Sequence, residues 1–109
     1  MDWPHLLAYF FGGAFLANAV PHLASGMMGR PFQSPFAKPP GEGFSSSVTN
    51  VLWGGFNLVV AYLLLVRVGD FDIRNLADIG AAGLGAALIT LFCARRFGSF
   101  NGGNKPTEG

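Results

Sequence analysis

The sequence has 109 residues, of which 50% are hydrophobic and only 12% are charged, whereas an average soluble domain carries about 25% charged residues. Together with a mean hydropathy of +0.40, this balance argues against a soluble globular domain and favours an integral membrane protein. The formal net charge of +1, without a run of Lys and Arg, excludes a nucleic-acid-binding surface, and the single cysteine excludes an internal disulfide framework.

Three long apolar segments predict an all-α membrane protein with three transmembrane helices. The helices are expected at about residues 3–27, 48–67 and 76–96. Each segment is long enough to cross about 30 Å of hydrocarbon at a rise of about 1.5 Å per residue. The spans form one predicted transmembrane domain, residues 1–97, and the Gly- and Asn-rich residues 98–109 are expected to be a disordered tail.

The first segment contains polar residues near its end. Asn18 and His22 are four residues apart and therefore share one helix face, while Pro21 removes a helical hydrogen bond between them. A polar group in hydrocarbon is costly unless it has a hydrogen-bond partner. We therefore expect partners for Asn18 and His22 on a neighbouring helix.

A long Pro/Phe-rich loop separates the first two predicted helices. Pro31-Phe32 and Pro35-Phe36 recur at a spacing of four, and Phe44 follows. Proline prevents a continuing helix, while the phenylalanines are too apolar for a simple solvated linker. The loop is expected either to lie in the headgroup interface or to dock as a cap over the helix ends.

The second segment carries two asparagines that match the polar residues of the first in depth. Asn50 and Asn57 lie on one helix face, and the rise per residue places Asn57 level with Asn18 and Asn50 level with His22. The third helix ends on the same membrane side and brings Thr90 and Cys93 to a comparable depth. These considerations predict a polar cluster that serves either packing or ligand binding, formed by Asn18, His22, Asn50, Asn57 and Thr90.

The third segment is rich in small residues. Ala81 with Gly85, and Gly83 with Ala87, form small-xxx-small pairs that allow helices to approach closely in lipid. The pattern fits packing against the other two spans of the same chain, and it also fits homodimerisation.

The distribution of Lys and Arg predicts the orientation. With three spans, the N-terminus and the short loop around residues 67–75 share one side, which holds Arg67 and Arg74. Cytoplasmic segments are enriched in Lys and Arg. The long loop and the C-terminus are therefore expected in the cytoplasm, because their side holds the other five: Arg30, Lys38, Arg95, Arg96 and Lys105.

Three short motifs resemble small multi-pass bacterial membrane proteins. They are N-x-x-P-H at residues 18–22, PF-x-SPFA-x-PPG at 31–41 and N-V-L-W-G-x-x-N-L at 50–58. The resemblance spans roughly half of the chain and implies a location in the bacterial inner membrane. It implies no activity and no assigned site.

The spans lack paired carboxylates and the common hydrolase and metalloprotease motifs. We therefore expect no catalysis, no cofactor and no metal site. The favoured hypothesis is an accessory or interaction subunit, whose partners are the lipid bilayer and either other membrane subunits or further copies of the chain. The alternative is an oligomeric channel or transporter, or a ligand- or proton-binding module that uses the polar cluster around His22.

Overall fold

The computed structural model describes residues 2–107, and this part of the chain is mostly helical. In chain order the elements are α1 (Trp3–Met27), β1 (Phe32–Gln33), β2 (Phe44–Ser45), α2 (Ser47–Tyr62) and α3 (Leu76–Asn101). A π-helical segment, Leu63–Val68, continues α2 without a break. The prediction of three helices that are long and apolar enough to cross a membrane is confirmed for the described residues.

The helix ends have identifiable local causes. Asp2 caps α1, and Ser46 caps α2 by accepting a hydrogen bond from Thr49 N at 3.1 Å. Asn75 caps α3 through the amides of residues 77 and 78, and Gly102, with φ of +86°, ends that helix. Helix α3 thus runs through residues 98–101, where the sequence placed the start of a tail. Residues 1, 108 and 109 of the predicted domain and tail lie outside the described residues.

The expectation of a plain Pro/Phe-rich loop needs correction, because the loop contains a small antiparallel sheet. Strand β1 pairs with β2 so that Phe32 is opposite Ser45 and Gln33 is opposite Phe44. Between the strands, Gly41 has φ of +72° and donates its N–H to Ser34 O at 2.8 Å. Gln33 and Ser34 are almost fully buried, so their backbone requires internal partners, which the hairpin supplies.

Helix α1 lies in the middle of the bundle. It packs along both α2 and α3, which make almost no contact with each other. The crossing of α1 and α3 is close: a Cβ on Gly13 would collide with the carbonyl of Ala82, and one on Gly85 would collide with the carbonyl of Phe10. Because α2 and α3 are apart, a cleft with α1 at its floor runs between them.

The small residues of α3 divide between two faces. Ala82 and Gly85 are buried against α1, whereas Gly80 and Gly83 have no atom within 4 Å of an added Cβ. Of the two predicted small-xxx-small pairs, the one containing Gly85 therefore includes an intramolecular contact. Gly83 points away from the other described helices.

Tyr9 connects the N-terminal part of α1 to the residues that directly follow the π-helical segment. Its side chain is 3% exposed, and its hydroxyl accepts a hydrogen bond from Asp70 N at 2.9 Å. Gly69 lies against the same ring so closely that a Cβ there would collide with it. This contact fixes the short loop that leads from the π-helical segment into α3.

Candidate functional site

The structure joins His22 of α1 to Asn50 of α2. His22 Nδ1 lies 2.8 Å from Asn50 Oδ1 in a buried contact, and Asn50 is fully buried. The Asn50 Nδ2 group donates to carbonyls of the hairpin and the helix start: Phe32 O at 3.2 Å, Ser45 O at 3.3 Å and Ser46 O at 3.1 Å. One side chain thus ties together α1, β1, β2 and the beginning of α2.

These contacts determine the position of the imidazole proton. The Asn50 amide nitrogen faces three carbonyls, so its oxygen is the atom that faces His22. A carboxamide oxygen can only accept a hydrogen bond, and Nδ1 of His22 must therefore carry the hydrogen. Nε2 is the remaining ring nitrogen, and in the neutral imidazole it is a hydrogen-bond acceptor.

A second polar contact between α1 and α2 lies deeper in the bundle. Asn18 Nδ2 donates to Asn57 Oδ1 at 3.1 Å, and Asn57 Nδ2 donates to Trp53 O at 2.8 Å. The Cys93 thiol of α3 lies 3.5 Å from Asn18 Oδ1. Asn50, Gly54, Asn57 and Ala61 are the buried residues of α2, which is the face that the sequence pattern singled out.

Thr90 is the predicted cluster residue that the structure does not bring to the others. It is exposed, and within residues 2–107 its side chain has no hydrogen bond to Asn18, His22, Asn50 or Asn57. Thr90 lines a shallow groove on the other side of α3 with Pro21 and Phe32. Thr90 lies level with Ala17 and Pro21 of α1, which line the same groove, but the rotation of α3 about its axis turns Thr90 away from the cluster.

The polar residues open into a cavity of about 330 Å³, which we call the polar-end cavity. Asn18 and His22 of α1 form its floor, Trp53 and Arg96 contribute from α2 and α3, and the hairpin covers it. A volume of about 300 Å³ is at the lower end for small-molecule sites. The sequence argument missed Arg96 and Trp53 as lining residues, although the shared membrane side of the helix ends was a usable signal for Arg96.

A second cavity of about 300 Å³, which we call the inner groove, adjoins the first. The two share Asn18 and Trp53 as lining residues. The other walls of the inner groove include the apolar side chains Ala14, Phe15 and Ile89. Asn57 also lines the inner groove. The cleft between α2 and α3 therefore has one charged lining side chain, Arg96, below the hairpin, and only uncharged lining side chains toward the middle of the bundle.

Unpaired polar atoms occur near the polar-end cavity. Trp53 Nε1 and Gln33 Oε1 are buried without a hydrogen-bond partner in residues 2–107. Trp53 stacks on Phe56 with ring centroids 5.6 Å apart, which fixes the indole as a wall of both cavities. An indole N–H can only donate a hydrogen bond, and this one is enclosed without an acceptor among the described residues.

The loop phenylalanines occupy different surroundings. Phe32 is partly buried and packs on Phe97 and His22, with centroid distances of 4.7 and 5.7 Å. Phe36 contacts the edge of Trp53 but remains 63% exposed, and Phe44 is 64% exposed. Phe32 therefore docks against the helix ends, whereas Phe36 and Phe44 present apolar surface outward.

A third cavity lies at the opposite end of the helices and has a volume of about 420 Å³. Asp2, His5 and Asp78 are among its lining residues, and His5 Nδ1 lies 2.9 Å from Asp2 Oδ2. Both side chains of that pair are about half exposed, and an exposed pair contributes little stability. Within the described residues, no three His, Cys, Asp or Glu side chains are arranged to hold a metal ion.

Comparisons with models of protein families, with curated protein sequences and with solved structures found no match for this chain.

Proposed function

We propose that the protein is a non-catalytic integral membrane protein that binds a small molecule in the cleft between α2 and α3. The observation that carries this proposal is the polar-end cavity, to which α1, α2, α3 and the hairpin all contribute side chains. A group of convergent polar atoms beside an apolar groove is the usual composition of a ligand site. The polar cluster thus has a role in addition to helix packing.

The chemistry of the lining residues supports binding rather than catalysis. The Cys93 thiol faces the amide oxygen of Asn18, and no acidic side chain of the described residues lines the polar-end cavity. Nucleophilic catalysis requires a base near the nucleophile and a group that orients the base. Here the partner of His22 is the uncharged Asn50, which fixes the ring without activating a nucleophile.

The proposed location is the bacterial inner membrane, with the hairpin and the C-terminus in the cytoplasm. Five Lys and Arg residues on the hairpin side against two on the other side support this orientation. The polar-end cavity would then open near the cytoplasmic headgroup region.

Native mass spectrometry of the full chain, released from mild detergent, tests the proposed binding function. We expect a non-covalent adduct on the unmodified protein that disappears in Cys93→Phe, because the larger ring would fill the polar-end cavity. Gly55→Phe is the matched control: the space around Gly55 is open, so this variant should keep the adduct. The proposal is wrong if the unmodified protein carries no adduct, or if Cys93→Phe carries the same one.

An interaction subunit is the second candidate function, and the exposure of α3 favours it. Only Ala82, Gly85 and Gly98 of this helix are buried, and Gly80 and Gly83 face open space. Close helix pairing through such residues would join two copies of the chain. A Gly83→Cys substitution in a Cys93→Ser background should then give a disulfide-linked dimer in membranes. The control Leu88→Cys should not, because Leu88 is also exposed but lies about 140° around the helix from Gly83.

A further inference from the structure

Resting on the proposed binding function, we infer that the ligand is a membrane amphiphile with an anionic head group, held by Arg96 in the polar-end cavity, and with its hydrocarbon chain in the inner groove. Two features of the cleft point to this ligand class: the Arg96 cation at the hairpin end, and the uncharged, mainly apolar walls that continue from it into the inner groove.

Arg96 supplies a positive charge that has no acidic partner among residues 2–107. Among residues 2–107 no Lys or Arg pairs with a carboxylate, and the one contact between a basic and an acidic side chain, His5 with Asp2, lies at the other end of the bundle. The Arg96 guanidinium lies above the Phe100 ring, with Cζ 5.1 Å from the centroid, and its Nη2 is close to Gly41 of the hairpin. It therefore lies between α3 and the hairpin at the rim of the polar-end cavity, where it can bind a phosphate or carboxylate in a bidentate manner.

The surroundings of the other polar atoms near the cavity leave Arg96 as the donor available to a head group. Trp53 Nε1 is a buried donor with no acceptor in the described part of the chain. Asn18 bonds to Asn57, and the Ser34 hydroxyl is paired with that of Ser45. Because Trp53 Nε1 is enclosed and these amide and hydroxyl groups are paired, Arg96 is the donor that the anionic head group meets.

The inner groove provides an apolar surface on which the hydrocarbon chain of the ligand can bind. It begins at Asn18 and Trp53, where the polar-end cavity ends, and continues along Ala14, Phe15 and Ile89. A free phosphate ion would leave this apolar surface uncovered. A lipid chain would instead bury it, with a gain that scales with the apolar area removed from water.

Quenching of Trp53 fluorescence by brominated lipids tests the inference. The chain has two tryptophans, and Trp3→Phe leaves Trp53 as the single indole. In mild detergent, brominated phosphatidylglycerol should quench Trp53 in a saturable manner, with half-saturation at a lipid fraction at least about tenfold lower than brominated phosphatidylcholine, because a charge-assisted contact favours the anion. The two lipids carry the same chains, so the difference reports the head group.

A pair of neighbouring arginines provides the matched control. Arg96→Gln should remove the preference for phosphatidylglycerol, whereas Arg95→Gln should preserve it, because Arg95 does not line the polar-end cavity. An equal effect of both substitutions would show only general attraction to the basic surface and would overturn the inference. A millimolar excess of inorganic phosphate should not relieve the quenching; if it does, a free anion rather than a lipid occupies the site.

The outcomes separate this inference from the proposed binding function. Equal, saturable quenching by both brominated lipids would overturn the anionic head group and leave the binding function intact. Failure of the binding function itself would appear as unsaturable quenching by every lipid, together with the absence of an adduct in the mass spectrum.

Discussion

Asn50 makes a combination of hydrogen bonds that few other side chains could make at its position. Its oxygen accepts from His22 while its nitrogen is directed at three backbone carbonyls. Only a carboxamide has both a strong acceptor and two hydrogens to donate at this size. In a fully buried position each of these bonds matters, because a group that loses its partner has no water to replace it.

Asn50→Asp should therefore be strongly destabilising. An aspartate of nearly the same shape loses the donors to Phe32 O and Ser45 O and places a carboxylate against carbonyl oxygens. We expect the free energy of unfolding in mild detergent to fall by about 3–5 kcal/mol, as for an uncompensated buried charge. Titration with a denaturing detergent, followed by circular dichroism, measures the change.

Asn101→Asp is the control for this prediction. Asn101 also donates its side-chain amide to a carbonyl, that of Phe97 at 2.9 Å, but at an exposed helix end. Its replacement should cost less than about 1 kcal/mol. Equal losses for the two variants would contradict the role assigned to Asn50.

Helices α1 and α3 approach each other closely at glycine residues. A second prediction compares Gly85, on the face of α3 that packs against α1, with Gly83, on its open face. Gly85→Ala should separate the helices, because its methyl group would overlap the Phe10 carbonyl, whose backbone cannot move aside easily. Gly83→Ala adds the same methyl group in open space and should be neutral or slightly stabilising. Thermal unfolding of both variants in the same detergent measures the difference, and an equal loss of stability would argue against the close crossing.

The elements differ in how far they could be predicted from sequence. The helices follow from long apolar runs, and the pairing of Asn18 with Asn57 follows from depth and helical periodicity. The hairpin could not be anticipated, because β1 and β2 have two residues each, too few for an alternating pattern to appear. It depends instead on the distant amide of Asn50. The position of Thr90 could not be predicted, because small residues occur on all sides of α3 and do not define how this helix is rotated about its axis.

For the whole molecule, the sequence indicates the number of long apolar helices but not which helices contact each other. Three helices can form a triangle in which each touches both others, or a row with one in the centre. The row observed here results from glycines on α1 itself. Gly26 packs against α2, Gly12 packs against the π-helical segment that continues α2, and Gly13 packs against α3. Glycines on two faces of one helix allow close approach on both sides, and this could have been recognised in the sequence only with the helix orientations known.

The orientation of the whole molecule is the third prediction. An alkaline phosphatase reporter fused after Gly109 should be inactive in bacterial cells, and a fluorescent protein at the same position should fluoresce, because both report a cytoplasmic C-terminus. The reason is the five-to-two distribution of Lys and Arg. Active phosphatase at this position would reverse the proposed orientation and place the polar-end cavity outside the cytoplasm.

The hydrogen bonds between α1 and α2 predict the order in which these helices enter the membrane. Asn18 and His22 emerge from the ribosome before Asn57 and Asn50, with which they pair, so α1 alone would enter lipid with two unsatisfied polar groups. Its release from the insertion machinery should therefore wait for α2, and the two helices should leave as a hairpin pair. Stalled chains carrying Asn50→Leu and Asn57→Leu should then cross-link to the translocation channel for longer than unmodified chains of equal length, whereas an equal lifetime would mean that α1 departs alone.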